Sequence, residues 1–295
     1  MVRYAIASTP YDIRSLGKYC MKKACVIGWP IKHSRSPMIH GYWLDKYGIE
    51  GAYEKVAVAP EDLAAFLGNL AQKGFVGCNV TVPHKQAAFA QADRVHEQAR
   101  AVGAANTLWL EGDQLQADNT DIYGFMSHLQ RSAPGWNDKA RPVALLGAGG
   151  AARGILHGLL QGGARKVLLF NRTRERAEEL AAAIKGDVEV VDWAQRADRL
   201  QDCGLLVNST SLGMVGSVPL ELSLAALPAD AVVADIVYAP LETALLAAAR
   251  AKGCRTVDGL GMLLHQAVPG FERWFGVRPE VTDELRALVV ADLEG

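Results

Sequence analysis

A lysine and an aspartate set among amides and hydroxyls make up the chemically richest part of this sequence. The run Gly77-Cys-Asn79-Val-Thr81-Val-Pro-His-Lys85 closes an apolar, strand-like stretch with hydrogen-bonding side chains and one amine, and Asn119-Thr120-Asp121 further on adds a carboxylate. An amine and an acid surrounded by neutral donors and acceptors suit a small polyhydroxylated substrate and a proton transfer. If hydride reaches a ketone carbon, negative charge grows on the oxygen and a donor must meet it. Lys85 as an ammonium supplies both the charge and the proton, and the return stroke needs the neutral amine. Asp121 orients that amine and accepts from a substrate hydroxyl.

A second cluster follows the first strand-like run, Gly28-Trp-Pro-Ile-Lys-His-Ser34-Arg-Ser36-Pro37. Pro37 suits the first helical position, with Ser36 as its N-cap. Ser34 has no such local task, which makes it the better candidate for a ligand contact. Two hydroxyls beside a helix start suit a carboxylate.

A third feature is a nucleotide signature. Val143–Leu146 runs into Gly147-Ala148-Gly149-Gly150-Ala151-Ala152, a GxGxxA pattern at a strand-to-helix junction. Small residues there let the backbone approach a pyrophosphate, whose charge helix N-terminal amides hold. The tip of the next strand reads Phe170-Asn171-Arg172-Thr173-Arg174-Glu175-Arg176, with no carboxylate where an NAD enzyme places one. Arg172 and Arg176 can instead take a 2′-phosphate, with Asn171 and Thr173 alongside, which favours NADP over NAD. Two cations at a helix start oppose its dipole, so an anion is the natural reason for them.

These groups must be positioned by alternating strands and helices. The first half carries strand candidates at Ala24–Gly28, Ala52–Val58, Phe75–Val80 and Asn106–Leu110, with helical patterns at about 36–48, 60–73 and 86–101. A helix is expected over Ile122–Arg131, then a loop through Pro134-Gly135. The second half is a cleaner βαβ series. Its strands are Pro142–Leu146, Lys166–Phe170, Val188–Val191, Leu205–Asn208, Val232–Ile236 and Arg255–Val257; its helices lie near 151–162, 173–185, 193–200, 221–227 and 241–252. Helical patterns recur over Leu260–Phe275 and Glu280–Leu293. The pattern predicts an α/β protein of two domains: a substrate domain with a mostly parallel sheet at 21–120, completed by C-terminal helices at 259–295, and a doubly wound Rossmann-type NADP domain at 121–258. Closure of the cleft between them, with hinges near 121 and 258, would exclude water. Residues 1–20 read as an appendage, with Met21 as a plausible alternative start.

The bulk numbers fit this. The 295 residues are half hydrophobic with a net charge of −1, which speaks against a nucleic-acid or membrane surface. Five scattered cysteines without a CxxC pair point to reduced thiols in a cytoplasmic protein. Histidines 33, 40, 96, 128, 157 and 265 form no ligand-like pair, and no metal is expected.

With these motifs in hand, the chain resembles the shikimate dehydrogenases, which reduce 3-dehydroshikimate with NADPH. The matching blocks run in order: Gly28…Ser34-Arg-Ser36-Pro37…His40, Asn79-Val-Thr81-Val-Pro83-His-Lys85, Gly103-Ala-Ala-Asn106-Thr107, Asp118-Asn-Thr-Asp121, the Gly147 turn, Asn171-Arg172-Thr173, Asn208-Ser-Thr210…Gly213-Met214, Asp235-Ile-Val-Tyr238, and Asp258-Gly259…Gln266-Ala267. The resemblance implies that Ser34, Ser36 and Tyr238 take the substrate carboxylate. It gives the ring hydroxyls to Thr81, Asn106, Asp121 and Gln266, and the catalytic roles to Lys85 and Asp121. It places the pyrophosphate on Gly147–Ala151, the adenosine end on Asn171, Arg172, Thr173 and Arg176, and the nicotinamide side near Thr210, Met214 and Gly259. Asn79 orients the loop rather than touching substrate in this reading. His84, where Phe or Tyr is usual, Ala105 for Val and Ser209 for Ala depart from the family pattern. A monomer or homodimer is expected. The alternatives are a quinate/shikimate enzyme of broader or NAD-preferring specificity, and a non-catalytic NADP(H)-sensing protein.

Overall fold

The computed structural model describes residues 21–137 and 141–294; the appendage expected at 1–20 lies outside the described residues. The first layer system is built from β1 (Lys22–Gly28), α1 (Ser36–Tyr47), β2 (Gly51–Ala57), α2 (Leu63–Gly68), β3 (Phe75–Val80), α3 (Lys85–Gln91), β4 (Arg94–Val95), α4 (Glu97–Val102), β5 (Thr107–Glu111) and β6 (Gln114–Asp118). Its six strands lie in the order β2-β1-β3-β5-β6-β4. β1 pairs in parallel with β2 and β3, and β4 with β6, while β5 runs antiparallel to both β3 and β6. β5 matches the strand expected at Asn106–Leu110, while β4 and β6 are additions to the elements expected from the sequence.

The helix expected at 86–101 is two helices. The chain between them finds partners on a neighbouring strand: Asp93 N donates to Leu115 O (2.9 Å) and His96 N to Ala117 O (2.9 Å). That pairing is long-range, so the local helical pattern gave no sign of it. The helix expected at 60–73 is likewise shorter, a 3₁₀ turn at Pro60–Asp62 followed by α2.

From β6 the chain enters α5 (Asp121–Ser132) and then the second sheet. Its elements are β7 (Val143–Leu146), α6 (Gly150–Gln161), β8 (Val167–Phe170), α7 (Arg174–Ala183), β9 (Val188–Val191), β10 (Leu205–Asn208), β11 (Val232–Asp235), α8 (Ala244–Ala251) and β12 (Arg255–Val257). All five pairings are parallel, in the order β12-β11-β10-β7-β8-β9. The order reverses between β7 and β10, the switch point at which doubly wound sheets open a crevice for ligands. β7, β8, β10 and β11 are buried at every position, as continuous apolar runs covered on both faces should be.

Two expected helices are absent here. Residues 193–200 form two 3₁₀ turns, Trp193–Gln195 and Asp198–Leu200, and 221–227 contains no helix. Leu220, Leu222, Leu224 and Leu227 imitate a helical stripe, yet they lie between Pro219 and Pro228 and pack as irregular chain against one face of the second sheet. The apolar spacing reported burial correctly and conformation wrongly.

The chain then crosses back through α9 (Gly259–His265), α10 (Ala267–Phe275) and α11 (Asp283–Glu294). Phe271, Trp274, Leu264 and Val289 share one core with Ala24, Trp43 and Trp109 of the first layer system. Gly77 on β3 makes this approach possible: a Cβ there would sit 2.1 Å from Trp274 Nε1 and 2.3 Å from Leu108 O. Trp274 Nε1 uses the space to donate to Leu108 O at 2.9 Å.

Candidate active site

The C-terminal ends of β1 and β3 and the segment after β11 border one cavity of about 350 Å³, closed on another side by α9. Ser34, Ser36, Thr81, Lys85, Asn106 and Asp121 line it from the first layer system, and Tyr238, Gly259 and Gln266 from across the gap. Every substrate-side residue picked out in the sequence therefore reaches the same cavity, although 232 positions separate Ser34 from Gln266.

Lys85 is the first residue of α3, and Asp121 is the first of α5. The turn after β3 and the turn after β6 thus present an amine and a carboxylate to each other. Lys85 Nζ donates to Asp121 Oδ2 at 2.6 Å, with 32% and 23% of the two side chains exposed. Asn106 Nδ2 donates to the other carboxylate oxygen, Asp121 Oδ1, at 2.8 Å. Asn106 is itself fixed, because its Oδ1 accepts from Thr120 N (2.7 Å) and Thr107 Oγ1 (3.0 Å). Asn119 Oδ1 accepts from Asp121 N at 3.0 Å. The carboxylate is held from both oxygens and from its own backbone, an arrangement that leaves it few alternative rotamers.

The two serines exchange the roles expected of them. Ser36 is the first residue of α1 and makes no capping bond, whereas Ser34 Oγ accepts from Ser36 N (3.4 Å) and donates to Ser36 Oγ (3.3 Å). The local task belongs to Ser34, and both hydroxyls still face the cavity.

The glycine turn occupies the crevice between β7 and β10. Gly147 has φ +108°, and a Cβ on it would meet Ser209 Oγ at 2.8 Å, so both backbone and space demand glycine. Gly149 and Gly150 have nothing within 4 Å of an added Cβ, which leaves an open cradle at the start of α6. With Ala148 and Ala151 beside them, these residues fit a dinucleotide pyrophosphate. At the end of β8, Asn171 Nδ2 donates to Thr173 O (2.7 Å) and shapes the turn. Arg174 is committed to Glu178 (2.8 Å) and Asp192 (2.7 Å). Arg172 and Arg176 are exposed and have no carboxylate partner among the described residues, which fits them to a phosphate. Thr210 Oγ1 donates to Asn208 Oδ1 (2.7 Å), and Met214 is 43% exposed in the turn beyond it.

Three family models match in register with this architecture: the shikimate dehydrogenase substrate binding domain over residues 26–108, shikimate / quinate 5-dehydrogenase over 129–215, and the shikimate 5′-dehydrogenase C-terminal domain over 259–288. The shikimate dehydrogenase (NADP(+)) of Rhodopseudomonas palustris strain TIE-1 is 56% identical over 272 residues, spanning 92% of this chain and 97% of that protein. The chain belongs to the shikimate dehydrogenase family. Among solved structures, shikimate 5-dehydrogenase from Thermus thermophilus in complex with NADP(H) and shikimate is 33% identical with a TM-score of 0.82, covering 92% of this chain and all (100%) of that one. Quinate dehydrogenase from Corynebacterium glutamicum in complex with NAD is 32% identical with a TM-score of 0.85, over 92% and 99% of the two chains.

Two of the three departures from the family pattern make local hydrogen bonds. His84 is 2% exposed and its Nε2 hydrogen-bonds Val58 O at 2.8 Å, tying the Lys85 turn to the segment after β2. Ser209 Oγ donates to Leu146 O at 2.6 Å, tying β10 to β7 beside the glycine turn. The sequence reading gave no role to two groups. Asp235, buried at the end of β11, accepts from Asn208 Nδ2 (2.9 Å), Thr243 Oγ1 (2.8 Å) and Val237 N (3.1 Å), so it joins the Thr210 turn to the Tyr238 segment. Burial pushes its carboxyl up, while those three donors pull the other way. Tyr53 on β2 donates to Asn79 Oδ1 at 2.6 Å. A lone tyrosine in an amphipathic strand carries no local sign of such a contact.

Proposed function

We propose that this protein reduces 3-dehydroshikimate to shikimate with NADPH, reversibly, with Lys85 and Asp121 as its acid–base pair. The observation that carries the reading is the 2.6 Å contact between Lys85 and Asp121 inside a cavity whose other wall belongs to the nucleotide-binding half. When bound, NADPH supplies the hydride. Lys85 Nζ donates its proton to the ketone oxygen as charge grows there, and positioned acid–base groups of this kind contribute about 10²–10⁴-fold. Asp121, held by Asn106, keeps the amine aimed and accepts from a ring hydroxyl. In the reverse direction, neutral Lys85 takes the hydroxyl proton.

Ser34, Ser36 and Tyr238 take the substrate carboxylate, and Thr81, Asn106 and Gln266 take the remaining hydroxyls. Gly147 to Ala151 hold the pyrophosphate, Asn171, Arg172, Thr173 and Arg176 the adenosine end, and Thr210, Met214 and Gly259 the nicotinamide side. Arg172 and Arg176, with no carboxylate partner among the described residues, support NADP over NAD. The substrate domain comprises 21–120 with the helices after 258, and the NADP domain comprises 121–258. The buried free thiols of Cys25, Cys78, Cys203 and Cys254 support a reducing cytoplasmic setting.

The test is formation of NADPH from NADP with shikimate, then with quinate, and both again with NAD. Shikimate and NADP are expected to give the highest kcat/KM. Faster turnover of quinate with NAD would select the broader-specificity reading, and no turnover with any pair would select a binding protein.

A further inference from the structure

Lys85 and Asp121 depend on a chain of contacts that begins outside the cavity motifs, on the edge strand β2. Tyr53 Oη donates to Asn79 Oδ1 at 2.6 Å. With its oxygen engaged, the Asn79 amide points its nitrogen the other way, donating to Asn106 O (3.1 Å) and Thr107 Oγ1 (3.2 Å). Thr107 Oγ1 donates to Asn106 Oδ1 (3.0 Å), and Asn106 Nδ2 donates to Asp121 Oδ1 (2.8 Å). Asp121 Oδ2 then receives Lys85 (2.6 Å). Each link has one donor sense: the Asn106 carbonyl, the Thr120 N–H and the Asp121 carboxylate fix it from their side, and the tyrosine hydroxyl engages the remaining oxygen of Asn79. A side-chain amide can flip, and only its partners decide which way it points.

Tyr53 is itself held rigidly. Its ring stacks on His40 at 4.0 Å and 9° between planes. His40 is fully buried, and neither ring nitrogen has a hydrogen-bond partner among the described residues. Burial keeps that ring neutral, with its pKa down at about 3, and the neighbouring Asn79 pulls the other way. His40 therefore acts here as a flat apolar plate behind the tyrosine. Burial holds the Tyr53 phenol well above its ordinary range, with the nearby thiols of Cys25 and Cys78 adding to this and Ser36 opposing it, so the hydroxyl remains a donor.

We infer that Tyr53 is a positioning residue for the reaction: its hydroxyl fixes the orientation of the Asn79 amide and, through Asn106, the aim of Asp121 and Lys85. This rests on the reading of Lys85 and Asp121 as the acid–base pair. The tyrosine touches no reacting atom, and its effect is on turnover rather than on cofactor binding.

The experiment is a double-mutant cycle on the full-length enzyme with Tyr53→Phe and Asn79→Ala. Tyr53→Phe keeps the stack on His40 and deletes only the hydroxyl. Expected for this variant is a kcat lower by about tenfold, since small misplacements at a reacting centre are costly, with KM for NADP unchanged and Tm close to that of the parent. In the Asn79→Ala background the same change is expected to have no further effect on kcat, because the group it orients is gone. If Asn79→Ala is not recovered folded, Asn79→Leu takes its place; it fills the space and likewise removes the oxygen that Tyr53 donates to and both N–H donors. A kcat within twofold of the parent for Tyr53→Phe overturns the inference, as do multiplicative losses in the double variant or a loss explained by a lowered Tm. An inactive parent would instead overturn the reading of the function, which separates the two failures.

Discussion

The two walls of the cleft are prepared in different ways. On the substrate side, Lys85, Asp121, Asn106, Thr107, Thr120 and Asn79 satisfy one another through side-chain hydrogen bonds of 2.6–3.2 Å. On the cofactor side, the glycine turn offers bare backbone and open space, and Arg172 and Arg176 stand in solvent. The contrast follows from what each wall must do. On the proposed reading of Lys85 and Asp121, proton transfer is sensitive to small errors of distance and angle, which suits groups fixed in advance. A pyrophosphate and a 2′-phosphate are large, charged and tolerant, and backbone amides and long arginines can reach them.

This difference can be broken experimentally, starting where it should matter most. Lys85→Ala is expected to lower kcat by about two orders of magnitude or more while shikimate affinity stays within a few-fold, read from steady-state kinetics and a binding titration. Unchanged turnover would remove Lys85 from the chemistry. Arg172→Gln is expected to weaken NADPH binding by about ten- to a hundredfold, the usual worth of one charge-assisted contact, and to leave NADH binding nearly unchanged. Equal losses for both cofactors would show that this arginine does not read the phosphate. Gly149→Ala sharpens the contrast. Its φ of −87° suits any residue and its Cβ meets nothing, so Tm should hold while KM for NADPH rises by about tenfold. A loss of stability instead would make Gly149 a packing glycine.

The smallest effect is expected at the junction of the two walls, where His128 and His265 lie between α5 and α9. Burial, then the charges of His128 and Arg131, hold His265 down to about 4 from 6.5. Between those values the unfolded chain binds a proton that the folded chain does not, so stability rises with pH in this window and is lost on acidification. His40 adds to the same trend, being held at about 3. Lowering the pH from about 7 to about 5 is expected to reduce Tm by several degrees, less so in His265→Gln. An identical pH dependence in that variant would exclude His265 as a contributor.

How much of this was legible depended on the range of the interaction. The strands of the second sheet were readable to within a residue or two, because a buried parallel strand is an apolar run closed by a turn, and both signals are local. The glycine turn between β7 and α6 was readable for the same reason. β4 and β6 were not, since what holds them is pairing with other strands. The leucines of 220–227 misled, because spacing reports which side chains are buried and says nothing of how prolines at both ends constrain the chain.

The sequence by itself determined the chemical inventory: an amine, a carboxylate, paired hydroxyls, a glycine-rich strand-to-helix turn and the α/β alternation that carries them. Only the tertiary structure decided that Lys85 meets Asp121, that Ser34 rather than Ser36 makes the local bond, and that Tyr53 governs an amide 26 positions away. Residue types and local periodicity are written along the chain. The direction of a hydrogen bond between distant side chains is set only when packing brings donor and acceptor together and excludes the water that would otherwise serve either.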